Sequence, residues 1–285
     1  MKGDAAIRAK DEPGMFMVRP SDRRWKEGGG YYTESPHEVR QSPLLPDVAR
    51  LRDRRILEVF DRHGDIARAR RVLELGCGRS QWLPFFALNR RCDVFGLDNE
   101  PYASELARAN LAGAGAAGRI ICGDAFDLQG QSDLVGQFDL VYSMGLLEHF
   151  GDVVDRISIL SRYLRAGGRM ITTVPNMRGV NWLMQRMGSA EILETHVVYD
   201  RQLLTSVHEA AGLQTLASGY VGFFDGYLSA AGPPVRSIGN RIHSGLCRAS
   251  SLLAEAWARA GGGAVTPELS YISPHVYFVG TPTAR

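Results

Sequence analysis

Two short segments in the first half of the chain combine glycine and acidic residues at a spacing that suits nucleoside binding. Residues 72–80 (VLELGCGRS) form an apolar run that ends in a turn containing Gly76 and Gly78. Glycine allows backbone conformations that other residues avoid, and it leaves no side chain between the backbone and a ligand. Residues 94–98 (VFGLD) end on Asp98, whose carboxylate is placed to accept hydrogen bonds from two ribose hydroxyls. The two segments predict a pocket for an adenosine-bearing cofactor at the carboxyl edge of a parallel sheet.

The glycine turn differs from other nucleotide-binding loops. A dinucleotide fingerprint requires Gly-x-Gly-x-x-Gly, but Arg79, Ser80 and Gln81 follow Gly78, so the third glycine is missing. No Gly-Lys-Ser or Gly-Lys-Thr occurs in the chain, which excludes the common phosphate-loop signature. A glycine-rich strand–helix turn without a ligand remains as the alternative.

Alternating strand and helix patterns predict the sheet that positions these segments. Strands are predicted to end at Leu75 and Asp98, and others to span residues 119–122, 138–143, 169–174, 213–223 and 276–280. Helices are predicted over about 46–63, 80–88, 101–111 and 152–164, with Gly167 and Gly168 ending the last, and Asp200 is placed to cap another. Such alternation builds a parallel sheet with helices on both faces.

Composition favours one large globular unit in a reducing compartment. The chain has 285 residues, 45% of them hydrophobic, and a formal net charge of +2, which gives no global field for nucleic acid. Its four cysteines, at positions 77, 92, 122 and 247, lack paired or metal-ligand spacing and are predicted to be small buried side chains. No apolar run approaches a membrane span, and residues 1–14 lack the apolar core of a signal peptide. We expect a cytoplasmic protein without metal, nucleic-acid or membrane partners, as a monomer or homodimer.

Four motifs, in order, resemble those of class I S-adenosylmethionine-dependent methyltransferases of the small-molecule type. They are LELGCG (73–78), GLDNEP (96–101), GDAFD (123–127) and FDLVYSMGLLEHF (138–150), the last followed by LRAGGRMITTVPN (164–176). The resemblance covers most of the chain. It implies S-adenosyl-L-methionine as cofactor and a Rossmann-like, doubly wound α/β fold with a seven-stranded, mostly parallel sheet.

The predicted organisation is a single methyltransferase domain spanning residues 1–285. Its segments are an N-terminal arm and helical cap (1–66), a cofactor-binding core (67–176), an acceptor-side segment (177–224), an insertion (225–271) and the last strand with its tail (272–285). The insertion joins the last two strands and is expected to form a lid over the acceptor pocket. It contains Ile238, Ile242, Leu246, Leu253 and Trp257 at helical spacing, with Arg241, Arg248 and Glu255 on another face.

The resemblance assigns cofactor contacts position by position. Glu74 would brace the turn and face the methionine amino group, while Gly76, Cys77 and Gly78 would run along the methionine and ribose. Asp98 would hold both ribose hydroxyls, and Asn99 would border the adenine. Asp98 could instead cap the next helix.

The remaining cofactor contacts lie further along the sheet and in the N-terminal arm. Asp124 would accept a hydrogen bond from the adenine amino group, Ala125 would offer its backbone amide to the ring, and Ser143 would lie near the methionine end. Tyr31 and Tyr32 resemble N-terminal tyrosines that close over the cofactor carboxylate. The alternatives are an ordinary turn residue at Asp124 and a packed aromatic pair in the arm.

Two histidines are candidates for the acceptor side. Methyl transfer is an in-line displacement at a carbon that the sulfonium already activates, so the protein mainly supplies alignment and excludes water. A neutral hydroxyl acceptor also needs a base, which is most often histidine. By resemblance, His149 in LLEHF faces the methyl group, and His196 in ETHVVYD precedes the helix before the closing strands. Each could instead only bond a neighbouring carbonyl, and Glu148 is interpreted as structural or cofactor-adjacent.

The residues after the fourth strand restrict the acceptor. Residues 143–146 (SMGL) stand where amino-methylating DNA enzymes carry Asn-Pro-Pro-Tyr, and no Pro-Cys dipeptide of a cytosine-carbon enzyme occurs. We therefore expect methyl transfer to an O or N atom, or to a C atom, of a small metabolite in bacterial secondary metabolism. The alternatives are a catalytically inactive regulatory module that binds the cofactor and an aminopropyl transferase, whose acidic polyamine site is replaced here by apolar residues.

Overall fold

Seven strands form one sheet in this computed structural model, which describes residues 35–188, 190–223, 238–260 and 269–283. The strands are β1 Arg71–Leu75, β2 Asp93–Asp98, β3 Arg119–Cys122, β4 Phe138–Met144, β5 Leu164–Pro175, β6 Leu213–Val221 and β7 His275–Pro282. Their order is β3-β2-β1-β4-β5-β7-β6, and β7 runs antiparallel to its neighbours β5 and β6. This confirms the predicted Rossmann-like fold with a seven-stranded, mostly parallel sheet.

Helices pack on both faces of the sheet. They are α1 Pro36–Gln41, α2 Leu51–His63, α3 Trp82–Phe85 with a π-helical turn Phe86–Arg90, α4 Pro101–Gly113, α5 Val153–Ser161, α6 Gly179–Gly188, α7 Ala190–Thr195, α8 Arg201–Ala210 and α9 Ile238–Arg259. A short 3₁₀ turn, Leu147–His149, follows β4. One core cluster joins the sheet to α2, α3 and α4, and the other joins it to α5 and α8.

An aromatic cluster fills the core beneath the glycine turn. The Phe60 ring of α2 lies with its centroid 4.9 Å from Phe86 and 5.1 Å from Tyr142 of β4, both at edge-to-face angles. Trp82 packs on the same group, 5.5 Å from Phe60. Such edge-to-face contacts stabilise ring pairs beyond the burial of apolar area. The cluster therefore fixes the position of the Tyr142 ring within the sheet.

Two predicted element boundaries are wrong for identifiable reasons. The helix predicted over 46–63 begins at Leu51, because the Asp53 carboxylate accepts from the backbone N–H of Asp47 at 2.8 Å and holds the preceding segment in a turn. Gly167 and Gly168 do not end a helix. Helix α5 stops at Ser161, and both glycines lie within β5, where the register with β4 shifts and Gly167 has a φ of +74°. Glycine accommodates this irregularity because it tolerates positive φ.

Other expectations have mixed outcomes. Asp200 caps α8 as predicted, accepting from the N–H of Leu203 at 2.8 Å. Cys77 and Cys92 are buried as predicted, but Cys122 is exposed because it ends β3 at the edge of the sheet. The side chain of Cys247 lies outside the described residues.

The insertion contains the predicted helix, α9, which packs through small side chains and not through its large apolar residues. Ser250 and Ala254 are buried, whereas Leu246, Leu253 and Trp257 are 44%, 66% and 48% exposed. Small side chains let α9 pack closely against α6 and α2, and Glu255 accepts from the N–H of Leu51 at 2.9 Å. The side chains of Ile238, Arg241 and Ile242 lie outside the described residues. Of the helices in the described ranges, none has the length and apolar content to cross a membrane.

Candidate active site

The glycine turn after β1 forms the floor of the candidate cofactor site. Gly76 and Gly78 adopt φ values of +66° and +44°, a region that side-chain-bearing residues avoid. The N–H of Gly76 donates to the Leu97 carbonyl at 2.8 Å, and the N–H of Gly78 donates to Asp98 Oδ2 at 2.8 Å. The turn is therefore tied to the end of β2, and it exposes backbone without an intervening side chain.

Asp98 ends β2 as predicted and reaches back to this turn. Its Oδ1 accepts from the N–H of Glu100 at 3.0 Å while Oδ2 accepts from Gly78. Burial raises the pKa of the Asp98 carboxyl, and the two backbone donors oppose that shift. The proposed alternative, a cap for the next helix, is wrong, because Glu100 is the N-cap of α4 and accepts from the N–H of Ala103. Each carboxylate oxygen keeps acceptor capacity for a ligand hydroxyl.

Glu74 is the second-last residue of β1 and is only 4% exposed. The Tyr142 hydroxyl donates to Glu74 Oε2 at 2.8 Å. Burial raises the pKa of Glu74 to about 8, hydrogen bonds from Ser80 and Tyr142 oppose the shift, and the Asp98 charge adds to it. Cys77, in the turn, is also buried, and its thiol pKa is raised well above the ordinary value by burial.

The structure places the predicted adenine-side residues after β2 and β3. Asn99 and Asp124 are exposed, and Asp124 Oδ1 accepts from the N–H of Phe126 at 2.8 Å, which is the local turn contact named as its alternative. Ala125 is buried, and its carbonyl accepts from the Tyr163 hydroxyl at 2.9 Å. Tyr31 and Tyr32 lie outside the described residues.

The candidate acceptor side begins where β4 ends. Ser143 is fully buried and stands opposite Leu75 in the strand register, so it lies at the same sheet edge as the glycine turn. Gly145 then turns the chain with a φ of +73° and leads into the 3₁₀ turn that carries Glu148 and His149. His149 Nε2 lies 3.9 Å from Glu148 Oε1, and both side chains are buried.

The structure brings together the two histidines that the sequence separates by 47 positions. The His149 and His196 ring centroids are 4.3 Å apart in an edge-to-face arrangement, and His196 is 6% exposed. The N–H of Val197 donates to the Glu148 carbonyl at 2.7 Å, which fixes the segment after α7 against the 3₁₀ turn. Arg178 donates to Asp200 at 2.7 Å and anchors the other end of that segment. We call Glu148, His149 and His196 the acceptor cluster.

Burial dominates the electrostatics of the acceptor cluster. It raises the pKa of Glu148 to about 8 and lowers that of His149 to about 3, because each charged form loses solvation. Both groups are therefore mainly neutral at pH 7. The nearby Tyr199 hydroxyl also has a raised pKa, chiefly through burial and further through the Glu148 charge.

Several buried polar atoms along this edge have no hydrogen-bond partner among the described residues. They belong to residues of β4, the 3₁₀ turn, β5 and its following residue, and the segment before α8: Ser143 Oγ, Glu148 Oε2, Thr173 Oγ1, Asn176 Oδ1 and Tyr199 Oη. Burying a polar atom without a hydrogen bond is costly, so such atoms are rare away from functional sites. Their concentration here favours this edge as the place where a polar ligand binds.

The acceptor cluster also has the donor set of a metal site. One ligand atom from each of its three residues lies within 4.8 Å of the other two. Imidazole nitrogen and carboxylate oxygen are common ligands of divalent transition metals. The sequence-based expectation of no metal stays a prediction, which a chelation experiment can test.

Sequence reasoning missed three residues of this site. It interpreted Glu148 as structural or cofactor-adjacent and did not select Tyr142 or Tyr199. A signal for Tyr142 exists, since it stands directly opposite Glu74 in the parallel register of β4 and β1. Tyr199 lies close to His196 in ETHVVYD, but only the fold brings this segment to β4.

The strand order, the glycine turn and Asp98 together define a nucleoside-binding α/β fold of the class I methyltransferase type. The sequence matches the family described as methyltransferase domain over residues 48–218. It is 30% identical over 172 residues to the ubiquinone biosynthesis O-methyltransferase of Chromobacterium violaceum, a match covering 56% of this chain and 72% of that one. The chain therefore belongs to the methyltransferase domain family and uses S-adenosyl-L-methionine as its cofactor.

Solved structures agree on the fold. The cyclase SpnF superposes with a TM-score of 0.55 at 16% identity, covering 81% of this chain and 82% of SpnF. An S-adenosylmethionine-dependent methyltransferase from Archaeoglobus fulgidus superposes with a TM-score of 0.51 at 15% identity, covering 87% of this chain and 94% of that one. At these identities the likeness shows the fold alone, and one of the two proteins is a cyclase.

Proposed function

We propose that this methyltransferase transfers its methyl group to an oxygen atom of a small hydroxylated metabolite, with the acceptor cluster as the proton-accepting group. The observation that supports this is the burial of two imidazoles and a carboxyl group against one another at the carboxyl edge of β4. The curated relative is named as an O-methyltransferase, which favours oxygen over nitrogen. The proposal includes an acceptor made in bacterial secondary metabolism, as the sequence analysis expects.

The proposal assigns the cofactor to the glycine turn. Asp98 accepts from the ribose hydroxyls, Glu74 faces the methionine amino group, and the backbone of residues 76–78 follows the cofactor between them. Ser143 lies near the methionine end, where its unpartnered Oγ supports this role. Asn99, Asp124, Ala125, Tyr31 and Tyr32 keep the adenine-side and carboxylate-side roles proposed from the sequence.

The proton chemistry follows from the neighbours of His149. Oxygen attack on the sulfonium methyl requires the hydroxyl proton to leave, and a neutral imidazole can accept it. Burial alone makes His149 a weak base, because its imidazolium form is poorly solvated. An ionised Glu148 carboxylate 3.9 Å away stabilises that imidazolium. We therefore expect turnover to rise with pH as Glu148 loses its proton, with apparent pKa values that belong to the coupled pair.

The test is the variant His149→Gln, assayed by transfer of labelled methyl from S-adenosyl-L-methionine to a panel of small phenols and hydroxylated metabolites. We expect kcat to fall by about a hundredfold or more, since general-base catalysis contributes roughly 10²–10⁴. Affinity for S-adenosylhomocysteine, measured by calorimetry, should stay unchanged. His37→Gln is the matched control, because His37 is an exposed histidine of α1. Unchanged kcat in the His149 variant would remove the cluster from proton transfer and favour a nitrogen acceptor.

The insertion of residues 225–271 completes the proposal as a lid over the acceptor pocket. It connects the end of β6 to the start of β7, and both of these points lie at the same sheet edge as the end of β5. Its described helix, α9, packs against α6, which follows β5. Leu253 and Trp257 on α9 and Leu183 on α6 are exposed apolar side chains that could contact an apolar part of the acceptor.

A further inference from the structure

A hydrogen bond between two strands links the aromatic core to the cofactor turn. Glu74 of β1 and Tyr142 of β4 are register partners, and the Tyr142 hydroxyl donates to Glu74 Oε2 at 2.8 Å. Neither side chain exposes more than 4% of its surface. The Tyr142 ring is held from the other side by Phe60 and Phe86 at centroid distances of 5.1 and 5.8 Å. The hydroxyl is therefore directed at the carboxyl group by a rigid support.

The groups around Glu74 are acidic or neutral. Asp98 faces it from β2, Tyr142 from β4, and Ser80 from the start of α3, while Cys77 lies in the turn itself. The charge of Arg108 on α4 lowers the pKa of the Cys77 thiol, against the larger effect of burial. The Arg108 guanidinium donates to the Ile120 carbonyl at 3.1 Å. A carboxylate at Glu74 would thus be buried near a second carboxylate, with two hydroxyl donors to stabilise it. Within the part of the chain that the structure describes, no cation is among the groups that set its pKa.

We propose that Tyr142 is a positioning residue for cofactor binding. It holds the Glu74 carboxyl group so that this group ionises when the α-ammonium of the cofactor arrives. Cofactor binding thereby releases one proton. This rests on the proposed assignment of Glu74 to the methionine amino group. In the binding step the carboxylic O–H bond breaks, the proton passes to buffer, and the carboxylate pairs with the ammonium, which keeps its own three protons. Charge balances because the carboxyl group keeps the negative charge that its proton leaves behind, and this charge offsets the positive charge of the bound ammonium.

The ammonium would bring a cation next to Glu74, where the described residues that set its pKa include none. It compensates the charge of Glu74 directly and weakens the repulsion from Asp98 at the same time. The raised pKa of Glu74 supports this order of events, since a carboxyl group with a pKa of about 8 is about 90% protonated at pH 7. The Tyr142 hydroxyl favours the ionised form because a hydrogen bond to a charged acceptor is stronger than one to a neutral acceptor.

The experiment is calorimetric titration of the full chain with S-adenosylhomocysteine at pH 7 in phosphate and in Tris. This ligand keeps the ammonium but lacks the sulfonium, so any linkage reports on the amino-acid end. We expect the observed enthalpy at pH 7 to differ between buffers by close to one ionisation enthalpy, and the released fraction of a proton to fall as the pH rises through about 8. The second probe, 5′-methylthioadenosine, lacks the amino-acid group and should bind without buffer-dependent heat.

The variant Tyr142→Phe keeps the buried ring and removes only the hydroxyl. We expect it to weaken S-adenosylhomocysteine binding at pH 7 by about tenfold or more, as loss of a hydrogen bond to a charged group implies. Binding of 5′-methylthioadenosine should be unchanged. The midpoint of the pH dependence of S-adenosylhomocysteine affinity should move to higher pH. Glu74→Gln should abolish proton release. Tyr220→Phe, which removes a hydroxyl in β6, is the matched control.

The outcomes separate this inference from the assignment on which it rests. Buffer-independent heat for S-adenosylhomocysteine in the unaltered protein would overturn the proton release, and this measurement requires no variant to fold. Equal losses for both ligands in Tyr142→Phe would assign the tyrosine a general structural role and overturn the positioning role. Release that persists in Glu74→Gln would show that another group supplies the proton and would overturn the assignment of Glu74 itself.

Discussion

Replacement of Asp98 by asparagine tests the cofactor site with the smallest change in shape. The carboxylate receives two backbone N–H groups, from Gly78 at 2.8 Å and from Glu100 at 3.0 Å, one on each oxygen. An asparagine side chain offers a single acceptor oxygen, so one of these N–H groups would face an NH₂ group instead. The turn and the ribose hydroxyls would then compete for the same oxygen.

The magnitude follows from the bonds that the amide cannot make. A hydrogen bond to a charged group contributes roughly 1.5–3 kcal/mol, so losing one ribose contact should weaken cofactor affinity by about 10- to 150-fold. The unpaired N–H costs roughly 1–3 kcal/mol of folding stability. Burial disfavours the charged form of Asp98 and raises its pKa. The neutral asparagine avoids this cost of burying a charge, which offsets part of the stability loss. We therefore expect a stability loss near about 1 kcal/mol and a much clearer loss of binding.

Calorimetry with S-adenosylhomocysteine, together with urea unfolding of the cofactor-free protein, measures the two effects separately. Asp93→Asn is the matched control, because Asp93 lies on the same strand, is exposed, and stands at the opposite end from the turn. Asp98→Ala should lose at least as much affinity and more stability, since both backbone donors then lose their acceptor. Affinity within twofold of the unaltered protein, in a folded Asp98→Asn variant, would refute the ribose assignment.

Three further predictions concern other parts of the chain. Extensive dialysis against a chelator should leave turnover unchanged, and turnover that is lost and then restored by a divalent cation would make the acceptor cluster a metal site. Replacing residues 225–271 by a short linker should preserve affinity for S-adenosylhomocysteine while abolishing turnover or selectivity, and normal methylation by such a variant would exclude the lid. His208 is fully buried, bonded to Thr172 and the Leu204 carbonyl at 2.9 and 2.7 Å, and burial lowers its pKa to about 4. Below about pH 6.5, unfolded chains then bind more protons than folded ones. The free energy of unfolding should therefore fall from pH 6.5 towards pH 4 by up to about 1.4 kcal/mol per pH unit. A His208→Gln variant should show a shallower fall when urea unfolding is measured across this pH range.

The cofactor half of the site could be predicted because its geometry is local in sequence. A strand that ends in glycines forms one wall, and the acidic end of the next strand, about twenty residues later, forms the other. Parallel pairing places these two ends side by side, so spacing along the chain becomes distance in space. The alternation of strands and helices predicts a parallel sheet with helices on both faces, whereas the order of the strands and the antiparallel direction of β7 come only from the structure.

The acceptor half could not be predicted in the same way. His149 and His196 meet because α6 and α7 return the chain to β4. Those two helices were not predicted, although Val180, Leu183 and Met187 recur at helical spacing. The packing of α9 also depends on tertiary contacts. Its large apolar residues recur at helical spacing, but the helix packs through Ser250 and Ala254, which depends on the shape of the neighbouring helices. Tertiary contacts decide such cases over local pattern.

Two buried glutamates mark the two halves of the site, and their surroundings separate their roles. Burial raises the pKa of both Glu74 and Glu148 to about 8, so the shift itself does not distinguish them. Glu74 accepts from Tyr142 and Ser80, donors that favour the ionised form once a cation is present. Glu148 Oε2 has no donor among the described residues and faces a neutral imidazole, an arrangement that favours exchange of a proton over a lasting charge. Under the proposed function, the same fold thus holds one carboxyl group that binds the charged cofactor and another that moves the proton of its acceptor.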